Sequence, residues 1–88
     1  MTNDILDKDI ADSKVWLASN CDLASYEHIN KKIGFNPYID YEIYFKRANE
    51  SNKNFVEIPS GGLYELWYKN PKNKWKLIKQ YHKLDLIE

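Results

Sequence analysis

The sequence predicts an α+β domain in which one or two N-terminal helices pack on an antiparallel meander of three to four short strands. Three observations carry this. Apolar residues recur at helical spacing up to residue 33, they alternate with period two from about residue 39, and turn-forming residues cluster at 60–62 and 70–73. At 88 residues the chain is expected to be a single domain over 1–88. That size leaves no room for a cleft between two domains, where many enzymes build their sites.

The first segment reads as helical. Leu6, Ile10 and Leu17 fall on one helical face, and acids crowd its start, where the helix dipole favours them. Two arrangements fit: one continuous helix, or a shorter helix over 14–19 capped by Asp12 and Ser13, with residues 1–12 frayed. In the second segment Asp22 suits the N-cap, and Leu23, Tyr26, Ile29 and Ile33 form a stripe. Lys31 and Lys32 suit the last turn, Gly34 suits the position just past it, and Phe35 can fold back. Pro37 then forbids continuation. The spacing predicts a helix over 23–33.

From residue 39 the period changes. Tyr41, Ile43 and Phe45 mark an apolar face and Asp40, Glu42 and Lys46 a polar one, so 39–46 reads as a strand. A polar loop over 48–54 leads to a short strand over 55–58, which ends at Pro59. Residues 60–62, Ser-Gly-Gly, form a turn. Segments 63–69 and 74–82 then make a hairpin around Asn70-Pro71-Lys72-Asn73. Pairing Lys69 with Lys74 puts Tyr64, Leu66 and Tyr68 on the core side with Trp75, Leu77, Lys79 and Tyr81. The same register turns Glu65, Trp67, Lys69, Lys74 and Lys76 outward.

Thirteen basic and thirteen acidic side chains give zero net charge. They are not evenly spread. Residues 1–27 carry six acids and two lysines, and residues 53–83 carry seven lysines and two acids. Asn, Lys, Ile and Tyr together make up 37 of the 88 residues. These residues have AT-rich codons, a composition frequent in low-GC bacteria, phages and mobile elements. The opening residues lack the basic and apolar regions of a secretory signal, and no apolar run reaches the ~20 residues of a membrane span. The expectation is a cytoplasmic protein with no membrane partner.

Catalytic chemistry finds little support. Cys21 cannot form an internal disulfide, because it is the only cysteine. Cys21 and His28 are close enough in sequence to meet, but no third group orients them as a nucleophile and base require. One cysteine and two distant histidines, His28 and His82, give no zinc-ligand spacing. Asp7, Asp9 and Asp12 lack the glycine and distal glutamate of a calcium loop. Ser60-Gly61-Gly62 lacks the helix and lysine of a phosphate loop. No enzyme, cofactor or metal is expected.

The basic hairpin is the most informative feature. Trp67, Lys69, Lys74 and Lys76 share its outward face, an arrangement that can anchor a protein interface or stack a base while lysines hold phosphates. Zero net charge and a single arginine, Arg47, argue against nucleic acid. The expected function is a small non-enzymatic binding protein that masks a macromolecular partner, such as an immunity protein, an antitoxin or a phage-type inhibitor. Its partner would be another protein, a nuclease or other toxic enzyme. Trp67, Lys69, Lys74 and Lys76 would form one contact pole, and Asp7, Asp9 and Asp12 the other. A single-strand nucleic-acid-binding hairpin is the alternative.

Overall fold

The computed structural model describes residues 2–31 and 37–82, with side chains described from residue 8 onward. Three helices, α1 (Thr2–Asn20), α2 (Leu23–Asn30) and α3 (Pro37–Glu50), precede three strands, β1 (Phe55–Ser60), β2 (Leu63–Lys69) and β3 (Trp75–Tyr81). The strands form one antiparallel sheet in the order β1-β2-β3. The α+β expectation therefore holds, with one more helix and one fewer strand than the longest reading allowed.

α1 is continuous, so Ser13 is not a cap. It is fully buried in mid-helix. Its hydroxyl is shared between the Tyr38 carbonyl oxygen, 2.8 Å away, and the Glu42 carboxylate. Ser13 and Leu17 are the buried residues of the face that meets α3, flanked by half-buried Ile10, Trp16 and Asn20. Such spacing is one helical stripe.

Asp22 does hold the N-cap of α2, but through its backbone. Its carbonyl accepts the Tyr26 N–H at 2.8 Å and its N–H donates to the Trp75 carbonyl at 2.9 Å, while its side chain makes no capping bond. The expected stripe is rotated: Leu23 is 71 % exposed, and Ser25 and Ile29 are the buried positions. The reason is a polar anchor, since Ser25 Oγ accepts the Leu77 N–H of β3 at 2.9 Å. The helix ends at Asn30 with Lys31 at its C-cap, short of the expected 33; Ile33, Gly34 and Phe35 lie outside the described residues.

The strand expected over 39–46 is α3. Pro37 opens this helix, where its missing N–H costs nothing. Tyr41, Phe45 and Ala48 are buried at helical spacing. Tyr41 and Phe45, four apart, satisfy both periods, and only Ile43 discriminates: it is 42 % exposed. Asn52, at φ 56°, ends the helix. The Asn52 N–H reaches the Asn49 carbonyl and the Lys53 N–H reaches Ala48, the paired bonds that close a helix on a left-handed residue.

Both hairpins follow from their turn residues. Ser60 pairs with Leu63, and Gly61 and Gly62 between them both have positive φ, 57° and 86°. That is the two-residue turn whose twist matches the strands. In the second hairpin Asn70 belongs to the ladder rather than the turn. Its N–H donates to the Lys74 carbonyl at 2.9 Å, and its side-chain oxygen accepts from the N–H groups of Lys72 and Lys74. Asn73 supplies the left-handed step, at φ 65°.

Lys69 consequently pairs with Trp75, not Lys74. A slip of one residue reverses the faces of one strand relative to the other. Trp75 and Leu77 stay on the core side, but Glu65 and Trp67 join them there, and Tyr64, Leu66 and Tyr68 turn outward. A bulge at Ile78 then lets Lys79 pair with Leu66 and Tyr81 with Tyr64 on the outer face.

The core is aromatic at its centre. Phe45 stacks on Trp75 with centroids 4.9 Å apart and meets Trp67 edge-on at 5.1 Å, and Tyr41 meets Trp67 edge-on at 5.6 Å. Leu17, Cys21, Ile29, Ala48 and Ile58 close around them. Because α3 is a helix with Phe45 inside and Ile43 outside, Phe45→Ala is expected to cost about 3–5 kcal/mol. Ile43→Ala is expected to stay within about 1 kcal/mol. Urea denaturation of the two variants checks this, and a strand would have made the costs alike.

Candidate interaction surface

The four hairpin residues expected to share one face do not. Trp67 is 0 % exposed and belongs to the core, so it is not a surface anchor. Lys69 is half-buried beside it; its Nζ donates to Asn49 Oδ1 at 2.9 Å and lies 5.7 Å from the Trp75 ring centroid. Lys74 donates its Nζ to the Ser19 carbonyl, placing a cation at the C-terminus of α1. Only Lys76 is exposed on the outer face, opposite Tyr68. The register slip produced this separation.

Turning Trp67 inward brings Glu65 in with it, and Glu65 is fully buried. Its Oε1 accepts from the Tyr41 hydroxyl at 2.5 Å and from Trp67 Nε1 at 3.1 Å. Its Oε2 accepts from Gln80 Nε2 at 3.1 Å and lies 2.8 Å from His28 Nε2. A carboxylate only accepts, so His28 Nε2 carries the proton of that bond. Four donors from α2, α3, β2 and β3 thus converge on two oxygens. Burial, followed by the hydrogen bond to Glu65 and the charge of that carboxylate, pushes the Tyr41 phenol well above its ordinary value. The arrangement ties α2, α3, β2 and β3 together at one carboxyl group. The sequence does not reveal it, because pairing Lys69 with Lys74 turns Glu65 outward, and its partners His28 and Tyr41 lie 37 and 24 residues away.

On the opposite side the sheet is bare of the helix contacts just described. The register defines three rows: Phe55, Tyr68 and Lys76; Glu57, Leu66 and Lys79; Pro59, Tyr64 and Tyr81. Phe55 and Tyr68 touch at 5.0 Å between centroids, Tyr64 and Tyr81 stack at 6.2 Å, and Lys79 Nζ lies 5.4 Å over the Tyr81 ring. Phe55 is 55 % exposed and Ile78, at the bulge, 47 %. The edges are poorer docking sites than the face. Pro59 removes a donor from β1, the Trp75 carbonyl of β3 is taken by Asp22, and the bulge and lysines disrupt the rest.

The acidic pole is a separate surface. Asp9 and Asp12, both exposed, line a groove of about 400 Å³ between α1 and α3 with Ile39, Glu42, Ile43 and Lys46. The side chain of Asp7 lies outside the described residues. Burial raises the Glu42 carboxyl, but hydrogen bonds from Lys46 and Ser13 and the Lys46 charge outweigh it, and the net direction is down. Lys46 also lies 5.4 Å from the centroid of Trp16, joining the two helices a second time.

Cys21 is buried, and burial pushes its thiol up to about 12, so it is protonated and inert at neutral pH. Its strand partner is Trp75 and the partner of His28 is Glu65, so the two are engaged elsewhere. Among the described residues no group of three or more His, Cys, Asp or Glu side chains can hold a metal, and no helix is long and apolar enough to cross a membrane. Compared with known proteins, the chain matches no protein-family model, no curated protein and no solved structure.

Two stability measurements follow. Glu65→Gln places an amide N–H₂ against groups that are themselves donors and is expected to cost about 2–4 kcal/mol by denaturant titration. Glu42 has a folded pKa below its unfolded value of about 4.3, so its contribution is complete above that pH and is lost as pH falls through the folded value. Melting temperatures across pH 2–7 should therefore show Glu42→Gln less stable at neutrality, with the gap closing in acid.

Proposed function

We propose that the chain is a small, non-enzymatic binding protein that masks a protein partner, and that the outer face of the sheet is the masking surface. One observation carries the reading: a sheet covered by helices on one side presents phenyl, phenol and aliphatic groups on the other, with Phe55 more than half exposed. Aromatic side chains grouped at a surface and rimmed by charge are the composition of interface centres. Lys76 and Lys79 on this face, with Lys72 at the hairpin tip, fit a partner whose contact surface is apolar and rimmed by carboxylates. The role sought for Trp67 passes to Phe55, Tyr68 and Tyr81.

The class that fits is that of small cytoplasmic inhibitors: immunity proteins, antitoxins and phage-type inhibitors, whose partner is a nuclease or another toxic enzyme. Steric blockade needs no catalytic group, and the carboxylate best placed to be one, Glu65, is engaged by four donors. The same tyrosines beside lysines support a second reading, a platform for single-stranded nucleic acid. Glu57 in the central row and the zero net charge weigh against it.

The test compares capture of partners from cell lysate by the wild type, by Phe55→Ala/Tyr68→Ala and by Asp9→Lys/Asp12→Lys. The expected result is a stoichiometric, nuclease-resistant protein lost only in the Phe55/Tyr68 variant. Loss only in the Asp9/Asp12 variant would move the contact to the acidic groove and overturn the assignment of the face. Nucleic acid bound through Lys72, Lys76 and Lys79 would instead show a log–log salt slope of about −2.

A further inference from the structure

The groove between α1 and α3 has no role in masking by the outer face. Its walls are two rows of unlike chemistry. On α1, Asp9 and Asp12 stand one turn apart; on α3, Ile39 and Ile43 do the same, with Glu42 and Lys46 beside them. Ile39 is half-buried and Ile43 is 42 % exposed, so the aliphatic row still meets water.

Charge in the groove is one-sided. The carboxylates of Asp9, Asp12 and Glu42 line it with one cation, Lys46. That cation is already committed: its Nζ pairs with Glu42 and lies 5.4 Å from the Trp16 ring centroid. Glu42 is likewise held, by Lys46 and by the Ser13 hydroxyl. Lys14, two residues from Asp12, is turned to the Tyr38 ring, 5.3 Å from its centroid. Lys8 is exposed and does not line the groove. Among the described residues, the side chains of Asp9 and Asp12 hold neither a hydrogen bond nor an ion pair.

We propose that this groove docks a basic amphipathic helix, with the apolar face of that helix on Ile39 and Ile43 and its lysine or arginine side chains on Asp9 and Asp12. The site is separate from the outer face of the sheet and does not depend on the masking role.

Three features select this occupant. A furrow between two helices accepts the side-chain ridge of a third. Residues three or four apart on a helix stand about 5–6 Å from one another, which is the spacing of Asp9 and Asp12 themselves. Basic side chains one turn apart on the incoming helix therefore reach both acids while the turn between them presses an apolar residue onto the isoleucines. An acidic or phosphate-bearing partner would instead meet two uncompensated carboxylates. The contact is small. One helix along about two turns of groove, ~11 Å, buries less than the ~1,200 Å² of a stable interface, so its Kd should be tens of micromolar or weaker.

The probe is a fluorescein-labelled peptide of leucine and lysine at helical spacing, about four turns long, titrated by anisotropy with the purified protein. The wild type should bind it, and should not bind the same peptide with glutamate in place of lysine. Asp9→Lys/Asp12→Lys should weaken binding about tenfold or more. Ile43→Ser should weaken it about threefold or more, through lost apolar contact. Phe55→Ala/Tyr68→Ala, on the opposite side, should stay within about twofold of the wild type. The substituted groove residues are exposed, and near-UV circular dichroism confirms that each variant is folded.

No binding up to about 1 mM overturns the proposal. Binding that ignores Ile43→Ser overturns it too, because charge alone then holds the peptide. Equal binding of the peptide with a central proline removes the helical occupant. Loss of binding in the Phe55/Tyr68 variant moves the peptide to the outer face. A contact this weak is not retained in lysate capture, so the masking role and the groove stand or fall on separate measurements.

Discussion

The burial of Trp67 against Phe45 and Tyr41 is the contact on which the other arrangements depend. An indole inside a small core removes more apolar surface from water than any alternative residue of β2 would. It meets two rings edge-on, and Phe45 in turn stacks on Trp75. Once Trp67 points inward, strand alternation sends Glu65 the same way and sends Tyr64, Leu66 and Tyr68 out. The core, the buried carboxylate and the exposed face are three results of one choice of strand face.

That choice carries a cost, and the helices are placed to meet it. A carboxyl group at 0 % exposure is tolerated only when its hydrogen bonds are complete. Tyr41 from α3, His28 from α2, Trp67 beside it and Gln80 from β3 supply them. Gln80 reaches Glu65 because the bulge at Ile78 shifts β3 by one residue before it. Such a set of converging donors specifies a register more sharply than apolar packing does, because a slipped strand would strand every one of them. α1 is joined by lesser polar contacts of the same kind, through Ser13, Glu42 and Lys46, and through Lys74 at its C-terminus.

The polarity of the chain acquires meaning in three dimensions. The lysine-rich third does not form one basic surface: Lys69 and Lys74 serve the fold, while Lys76 and Lys79 reach the open face. The acids of the first third line a groove on the helical side, with Asp9 and Asp12 at its edge. A neutral protein thus offers two unlike surfaces, one aromatic and weakly basic, one acidic and aliphatic. The aromatic one lies on the sheet face turned away from the helices, with Phe55 at its edge more than half exposed.

Much of the fold was written locally. The α+β class, the order of helices before strands, Asp22 at a helix start, the glycine turn at 61–62 and the hairpin around Pro71 all follow from short-range chemistry, because caps and turns depend on a few adjacent residues. Three matters did not. Residues 39–46 satisfied both periods, since Tyr41 and Phe45 lie four apart, and only packing against the sheet decided for a helix. The hairpin register turned on whether Asn70 belonged to the turn or the ladder, a difference of one residue that local signals leave open. The face of β2 turned on where Glu65 finds its donors, and those lie as far away in sequence as His28, Tyr41 and Gln80. The sequence by itself determined which residue types were on hand for a binding surface, tyrosine, phenylalanine and lysine. Only the tertiary structure decided which of them face water, because inside and outside on a strand are set by long-range pairing and burial rather than by composition.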